Sequence, residues 1–331
     1  MHIPDGFLDA KTAGVSAVLA VGGIAIALRH ARTCLPRSAV PLLGLAASFV
    51  FAAQMLNFPV AGGTSGHLVG GTLLAVLLGP SAAILAITCV LIVQCLAFAD
   101  GGLLALGANI LNMGIIVPTV GYLVYALVAA VARKRTGRLI GLALGAWVST
   151  VLAAAVCAGE LAASGTVAWN LALPAMAGVH AIIGIGEAAI TVAVVMAVWK
   201  ARPELAPDAL ALPGAVGGER VRVGDIQRLT RKRELVAYGV LVSIGLALFV
   251  SPLASSYPDG LEKFAEKVGI KEAMPLVATP LADYKMPGIY WDWLSKGLAG
   301  VLGALVVLGI ATVIGWALLR RGAVGATKNP L

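Results

Sequence analysis

Long runs of apolar residues, separated by short polar segments, extend along almost the whole chain. A transmembrane helix needs about 20 mostly apolar residues to cross a hydrocarbon core about 30 Å thick. By this measure the pattern predicts nine spans, at residues 12–29, 39–57, 67–79, 81–98, 108–131, 139–159, 172–199, 235–252 and 297–319. The third span is short, and Gly79-Pro80-Ser81 predicts a tight hairpin between it and the fourth. The expected fold is therefore an all-α, polytopic membrane protein.

Composition supports this class. Of 331 residues, 60% are hydrophobic and 12% are charged, and the mean hydropathy is +0.95. These values exclude an ordinary soluble domain. The net charge of +8 comes from short basic clusters between the apolar runs. It indicates orientation in a bilayer rather than binding to nucleic acid.

The distribution of basic residues predicts that the N-terminus is extracytoplasmic. With that orientation, eighteen of the 24 Lys and Arg residues fall on the cytoplasmic side and six on the outer side. No basic segment precedes the first apolar run, so we expect no signal peptide and a retained Met1. The expected location is the bacterial plasma (inner) membrane, with multiple passes.

The chain divides into three predicted segments. Residues 1–202 form a core of seven spans, and residues 203–234, rich in Pro, Gly and charge, form a cytoplasmic linker. Residues 235–331 form a separate module of two spans with an outer loop between them. Apolar positions at helical spacing from Leu261 to Val268 predict a short amphipathic helix at the membrane surface. Four aromatic residues before the last span predict an interfacial belt: Tyr284, Tyr290, Trp291 and Trp293.

Metal chemistry is suggested by the first two residues, Met1 and His2. The α-amino group, the His2 main-chain nitrogen and the His2 ring can close fused five- and six-membered chelate rings around one cation. Such a planar nitrogen set suits Ni(II) or Cu(II) better than tetrahedral Zn(II) or the oxygen-preferring Mg(II) and Ca(II). Pro4-Asp5-Gly6 is typical of a turn, which would keep these residues close to the protein. The alternative is that His2 follows Met1 by chance and binds nothing.

His67 is the expected fourth donor, because it follows a Gly-rich loop on the same predicted outer side as the N-terminus. We expect Thr64 or Ser65 to cap a helix that His67 opens. The positive end of that helix dipole would disfavour a cation, which is an objection to this assignment.

His180 and Glu187 lie seven residues apart in the seventh predicted span and so on nearly the same helix face. Ionisable groups at membrane depth indicate function by default, and the alternative is a mutually satisfied structural pair. Other polar residues are expected to bond between helices and to support metal ligands: Gln54, Asn57, Gln94, Asn109 and Asn112. The four cysteines have no CxxC spacing and are interpreted as packing residues.

The opening octapeptide from Met1 to Leu8, the Gly-rich loop that ends at His67, and the seven-span block together resemble the CbiM/NikM family. These proteins are the substrate-specific membrane components of energy-coupling factor (ECF) transporters for nickel and cobalt. The segment Pro258-Asp259-Gly260-Leu261-Glu262 resembles the PDGLE motif of the small NikN/CbiN partner, here fused to the core.

This resemblance implies that Ni(II) or Co(II) is bound as a transported substrate by the Met1 amine, the His2 main-chain nitrogen, the His2 ring and the His67 ring. No catalytic cofactor is expected. The implied partners are a membrane coupling protein of the CbiQ/NikQ type and a cytoplasmic ATPase of the CbiO/NikO type. The chain has no GxxxxGK[ST] phosphate loop, so the ATPase is expected to be a separate subunit.

Nickel is the preferred substrate, because the Pro4-Asp5 opening looks more like the nickel branch and planar nitrogen coordination favours Ni(II). The main alternative is a Co(II) importer component for cobalamin synthesis. A remoter one is an intramembrane enzyme that uses His180 and Glu187 as acid and base. A metal exporter or passive channel is a third hypothesis. Exporters of such metals usually carry His-rich cytoplasmic segments, and His30 is the only histidine on the predicted cytoplasmic side.

Overall fold

A computed structural model describes residues 1–35, 39–60, 63–132, 134–201, 232–270, 273, 276 and 279–325. The predicted linker lies outside the described residues, except for positions 232–234, which begin a helix. The last six residues of the predicted third segment also lie outside them.

The described residues are mostly helical, which confirms the predicted class. The helices are α1 (Ala10–Cys34), α2 (Val40–Gln54), α3 (Gly71–Leu78), α4 (Pro80–Phe98), α5 (Leu106–Val131), α6 (Arg135–Ala163), α7 (Trp169–Ala201), α8 (Lys232–Gly245), α9 (Gly260–Val268) and α10 (Asp292–Gly325). A π-helical turn and a 3₁₀ turn extend α8 to Leu253. Among these residues, seven helices are long and apolar enough to cross a membrane: α1, α4, α5, α6, α7, the extended α8 and α10.

Two of the nine predicted spans are shorter in the structure: α2 has 15 residues where 39–57 was predicted, and the third predicted span differs most. Its helix, α3, has only eight residues, about 12 Å at 1.5 Å per residue, which is too short to cross the bilayer. Most of α3 is buried by neighbouring helices, which is where a membrane protein tolerates an interrupted helix. A tight turn at Gly79 (φ 87°) joins it to α4, as predicted, and Pro80 opens α4.

A small β-hairpin precedes α3, and the sequence pattern did not predict it. Strands β1 (Phe58–Val60) and β2 (Thr64–Gly66) pair antiparallel, with Pro59 opposite Ser65. His67 therefore follows a strand and does not open a helix, so the expected cap by Thr64 or Ser65 is wrong. The helix starts at Gly71, after Gly70 in the left-handed region (φ 75°). The objection from the helix dipole loses its basis, because His67 is not in the first turn of α3.

The final two long helices pack directly on the N-terminal core. A Cβ on Gly44 of α2 would lie 2.2 Å from Thr312 Oγ1, and one on Gly303 would lie 2.2 Å from Phe51 Cζ. Helices α2 and α10 thus approach closely at glycines, as membrane helices often do. One hydrophobic cluster contains residues from both predicted modules.

Helix α9 forms where an amphipathic helix was predicted, but in a different environment. Asp259 and Glu262 form a capping box at its start, and Gly269 ends it (φ 80°). Leu261, Phe264 and Ala265 are buried in the shared core cluster. The helix packs on protein rather than lying with its apolar face in lipid.

Tyr284 also departs from its predicted role as an interfacial anchor. Its hydroxyl donates to Asp100 Oδ2 at 2.6 Å, and its ring stacks on Phe98 with centroids 4.7 Å apart. The other three members of the predicted belt, Tyr290, Trp291 and Trp293, are exposed on the molecule.

Candidate metal centre

The N-terminal peptide is held inside the molecule. Ile3 and Phe7 are fully buried. Asn109 forms two hydrogen bonds with Ile3: the Ile3 N–H donates to Asn109 Oδ1 at 2.7 Å, and Asn109 Nδ2 donates to the Ile3 carbonyl at 3.1 Å. Chain ends are usually poorly ordered unless tied down, and these contacts provide that restraint.

Met1, His2 and His67 lie together, although His67 is 66 positions from Met1. The Met1 nitrogen donates to His67 Nε2 at 3.1 Å. The rings of His2 and His67 stack with centroids 5.3 Å apart and an interplanar angle of 24°. His67 Nδ1 donates to the Leu68 carbonyl at 3.3 Å, so its Nε2 carries the lone pair that faces Met1.

Asp259 brings the PDGLE segment into this centre. Its Oδ2 forms an ion pair with the Met1 amine, while its Oδ1 caps α9 by accepting from the N–H groups of Leu261 and Glu262. Ser65 N–H donates to the Pro258 carbonyl at 2.8 Å, and Ser65 Oγ donates to the Tyr257 carbonyl at 2.7 Å. The loop before α9 is thus attached to the hairpin that presents His67.

Burial and charge shift the ionisation of this cluster. Burial lowers the pKa of the Met1 amine, but the Asp259 carboxylate and nearby acids outweigh it, and that pKa lies above its usual value. Burial, assisted by the Met1 ammonium and His2, lowers the pKa of His67 to about 3. Burial raises the pKa of Asp259, but the Met1 ammonium outweighs burial and leaves that pKa well below its usual value. His67 is consequently neutral at physiological pH, the form that binds metals.

His2 is held on both ring nitrogens. Nδ1 lies 3.1 Å from Asp100 Oδ1, and Nε2 donates to Gln94 Oε1 at 3.2 Å. Burial lowers the pKa of His2, while Asp100 acts in the opposite direction. Burial and then the Asp100 carboxylate raise the pKa of Tyr284, so this phenol stays protonated and donates to Asp100.

A cavity of about 320 Å³ adjoins the cluster. Its lining includes His2, His67 and Asn57, together with acidic residues from both predicted modules: Asp100, Asp259, Glu262 and Asp283. Lys296 also lines it. This gives the centre a polar approach on the face of the molecule that carries the N-terminus.

His180 and Glu187 do not bond to each other. His180 Nδ1 donates to the Met176 carbonyl at 2.8 Å. Glu187 accepts from the N–H groups of Val69 at 2.6 Å and Gly70 at 2.9 Å. Glu187 therefore anchors the main chain that follows His67, and the predicted mutual pair is absent from the described structure.

Within the part of the chain that the structure describes, no three His, Cys, Asp or Glu side chains are arranged to hold a metal ion. A centre at Met1, His2 and His67 consequently needs main-chain nitrogen as a donor. Sequence reasoning did not identify Asp100 or Asp259 as members of this centre. The resemblance to the PDGLE motif singled out the segment that contains Asp259, whereas Asp100 had no distinctive signal.

Comparison with known proteins agrees with this architecture. Residues 2–205 match the family described as the CbiM cobalt uptake substrate-specific transmembrane region, and residues 233–320 match the PDGLE domain. A fused nickel transport protein, NikMN, of Rhodobacter capsulatus is 34% identical over 98% of this chain and 100% of its own length.

This chain is similar in structure to two crystal structures, one of a transition metal transporter and one of a truncated transition metal transporter. Each is 35% identical to this chain in sequence. The truncated structure gives a TM-score of 0.56 and covers 61% of this chain and 99% of its own. The other gives 0.55 and covers 61% and 93%, respectively.

Fold and site define a multi-pass membrane transport protein rather than an enzyme. The chain belongs to the CbiM family, and its C-terminal part carries a PDGLE domain. The resemblance inferred from the opening octapeptide, the His67 loop and the PDGLE segment is confirmed.

Proposed function

We propose that this chain binds Ni(II) for uptake through four nitrogen donors: the Met1 amine, the His2 main-chain nitrogen, the His2 ring and the His67 ring. The observation that carries the proposal is the 3.1 Å contact between Met1 N and His67 Nε2. It joins two groups that could each donate a lone pair to a single ion.

The chelate geometry is consistent with this donor set. A ring that includes the His2 main-chain nitrogen, Cα, Cβ and Cγ becomes six-membered only if it closes through Nδ1. Met1 and His2 then supply three nitrogens in one plane, and His67 Nε2 completes a square. Square-planar nitrogen coordination is typical of Ni(II) and Cu(II).

Charge also supports the proposal. Metal binding requires that the Met1 ammonium and the His2 main-chain N–H each lose a proton. A divalent ion on one deprotonated peptide nitrogen has a net charge of about +1, the same as the ammonium it replaces. Asp259 is positioned to balance that charge before and after binding.

Co(II) is the alternative substrate, and the family description itself refers to cobalt uptake. Nickel is favoured by the planar donor set and by the nickel transport function named for the full-length relative from Rhodobacter capsulatus.

We infer that the N-terminus faces outward and that metal enters through the acid-lined cavity, which holds His2, His67 and Asp259. The basic residues support this orientation. Transport would then require a CbiQ/NikQ-type coupling protein and a CbiO/NikO-type ATPase, since the chain has no phosphate loop.

An intramembrane enzyme is not supported. His180 and Glu187, the proposed acid and base, are engaged with the Met176 carbonyl and with two main-chain N–H groups. Each contact is structural, and the family is one of transport proteins.

The test uses protein with a C-terminal tag and an unmodified N-terminus. One extra residue before Met1, or His2→Ala, should reduce bound nickel to background and abolish cellular nickel accumulation. His67→Ala should weaken binding by more than the roughly tenfold to hundredfold typical of losing an outer-shell partner. His30→Ala is the matched control, because His30 is exposed and bonds Ser81. Nickel content that is unchanged in all the site variants would refute the N-terminal centre.

A further inference from the structure

Two buried glutamines connect His2 to the main chain that follows His67. Gln94 of α4 accepts from His2 Nε2 at 3.2 Å and donates to Gln54 Oε1 at 2.8 Å. Gln54 of α2 donates through Nε2 to the Val69 carbonyl at 2.8 Å. We call Gln54 and Gln94 the amide relay; both side chains are buried.

The Val69 carbonyl, to which Gln54 donates, fixes the direction of every hydrogen bond in the amide relay. A carbonyl oxygen can only accept, so Gln54 must present its NH₂ group to Val69 and its oxygen to Gln94. Gln94 then donates to Gln54 and turns its own oxygen toward His2. The hydrogen on the His2 side must therefore be on Nε2.

The end of the relay is itself held in place. The N–H groups of Val69 and Gly70 both donate to the Glu187 carboxylate, at 2.6 and 2.9 Å. Val69 thus cannot rotate its carbonyl away without breaking bonds to a buried carboxylate, which is costly. This gives Glu187 an indirect role in orienting His2.

We propose that Gln54 and Gln94 are positioning residues for metal loading, which keep a hydrogen on His2 Nε2 and so reserve Nδ1 for the metal. The proposal rests on the proposed function, because only the chelate through Nδ1 requires this arrangement. Nδ1 lies 3.1 Å from Asp100 Oδ1. A metal ion about 2 Å from Nδ1 does not fit between these two atoms, so Asp100 has to move aside on loading while the Nε2 hydrogen stays bonded to Gln94.

The His67 ring is held in the complementary way. Its Nδ1 donates to the Leu68 carbonyl at 3.3 Å, which leaves Nε2 as the acceptor that faces the Met1 nitrogen. The Leu68 carbonyl thereby determines the nitrogen of His67 that can bind metal, and the Val69 carbonyl, through the amide relay, determines that of His2. Outer partners of this kind commonly fix the orientation and the ligating nitrogen of a metal-binding histidine.

The experiment measures which ring nitrogen of His2, Nδ1 or Nε2, carries the hydrogen. Full-length protein with ¹⁵N-labelled histidine contains only four imidazoles, and His2→Ala identifies the His2 signals by their loss. In metal-free wild type, the ¹⁵N shifts should show a hydrogen on His2 Nε2. Gln54 bonds to Gln94 rather than to His2. Gln54→Leu should therefore let the Gln94 amide rotate by 180°, and the hydrogen should then be shared between His2 Nδ1 and Nε2. The nickel affinity of this variant should fall about tenfold.

Rescue separates this role from a general effect on folding. In Gln54→Leu/Gln94→Glu, a carboxylate that can only accept faces Nε2, so the Nε2 hydrogen should return. Asn112→Leu is the matched control: it removes a buried amide that bonds Glu160 instead of the relay, and it should leave the His2 shifts unchanged.

An unprotonated Nε2 in wild type, or identical His2 shifts in wild type and Gln54→Leu, would overturn the proposal. Failure of the proposed function would appear differently, as nickel binding that persists in His2→Ala.

Discussion

The Met1 nitrogen lies between His67 Nε2 and the Asp259 carboxylate, so one atom joins three segments that are distant in the chain. Asp259 has two separable tasks, since Oδ2 contacts the amine and Oδ1 caps α9. Asparagine caps helices about as well as aspartate but has no charge. This allows the electrostatic task to be tested alone.

Asp259→Asn should therefore preserve α9 while it weakens nickel binding about tenfold, because the positive centre loses its nearest counter-charge. The metal-free protein should also melt at a lower temperature, since a buried ammonium loses its partner. Chelator-competition titrations and thermal circular dichroism measure the two effects. Glu266→Gln is the control, on the exposed side of α9 beside Lys263. Equal affinities for Asp259→Asn and wild type would show that Asp259 does not act through its charge.

Among the structural elements, the loop between α4 and α5 shapes the N-terminal peptide. Gly102 N–H donates to the Ile3 carbonyl at 2.8 Å. Asp5 accepts from Leu103 N–H at 3.1 Å and from Leu104 N–H at 2.8 Å. A Cβ on Gly102 would lie 2.3 Å from the Asp5 nitrogen, so the close approach of the two backbones requires glycine at this position.

Gly102→Ala should displace the N-terminal peptide and reduce both stability and nickel binding. The overpacking should cost about 1–3 kcal/mol, measured by thermal or denaturant unfolding. Gly14→Ala is the matched change, because nothing lies within 4 Å of a Cβ there and alanine favours the interior of α1. If the two alanine variants bind nickel equally well, the loop does not position Met1 and His2.

At the scale of the whole molecule, the C-terminal helices and the N-terminal core share one packed interior. Leu261, Phe264, Ala299 and Val307 belong to the same buried cluster as Ile3 and Phe51. The PDGLE segment reaches the Met1 amine because this packing brings it there. The N-terminal core and the C-terminal helices should therefore remain associated when no covalent link joins them.

Separate expression of residues 1–202 and 232–331 in one cell should yield a complex that co-purifies in mild detergent. Gly44→Leu should disrupt it, because a Cβ at Gly44 already meets Thr312 Oγ1 and the Leu308 carbonyl at 2.2 and 2.9 Å. Gly309→Leu should be tolerated, since nothing lies within 4 Å of its added Cβ. Co-purification that is unchanged by Gly44→Leu would argue against close packing of α2 and α10.

Local patterns were sufficient for much of this fold. Apolar runs indicated the long helices, because crossing a membrane demands a minimum apolar length. Turn residues located the hairpin at Gly79, and apolar positions at helical spacing located α9. The first two residues and His67 were selected by chelate chemistry and a Gly-rich loop, and the structure brings all three together.

Other features depend on which segments become neighbours. An apolar run does not distinguish a spanning helix from a short one buried by protein, so α3 was predicted too long. The positions of Asp100 and Asp259 and the direction of the amide relay depend on contacts between residues 15 to 258 positions apart. Hydrophobic length and helical periodicity act within a few turns of chain, and sequence alone reveals them. The surroundings of the Met1 amine and the His2 ring come from helix packing, which brings partners together regardless of their separation in sequence.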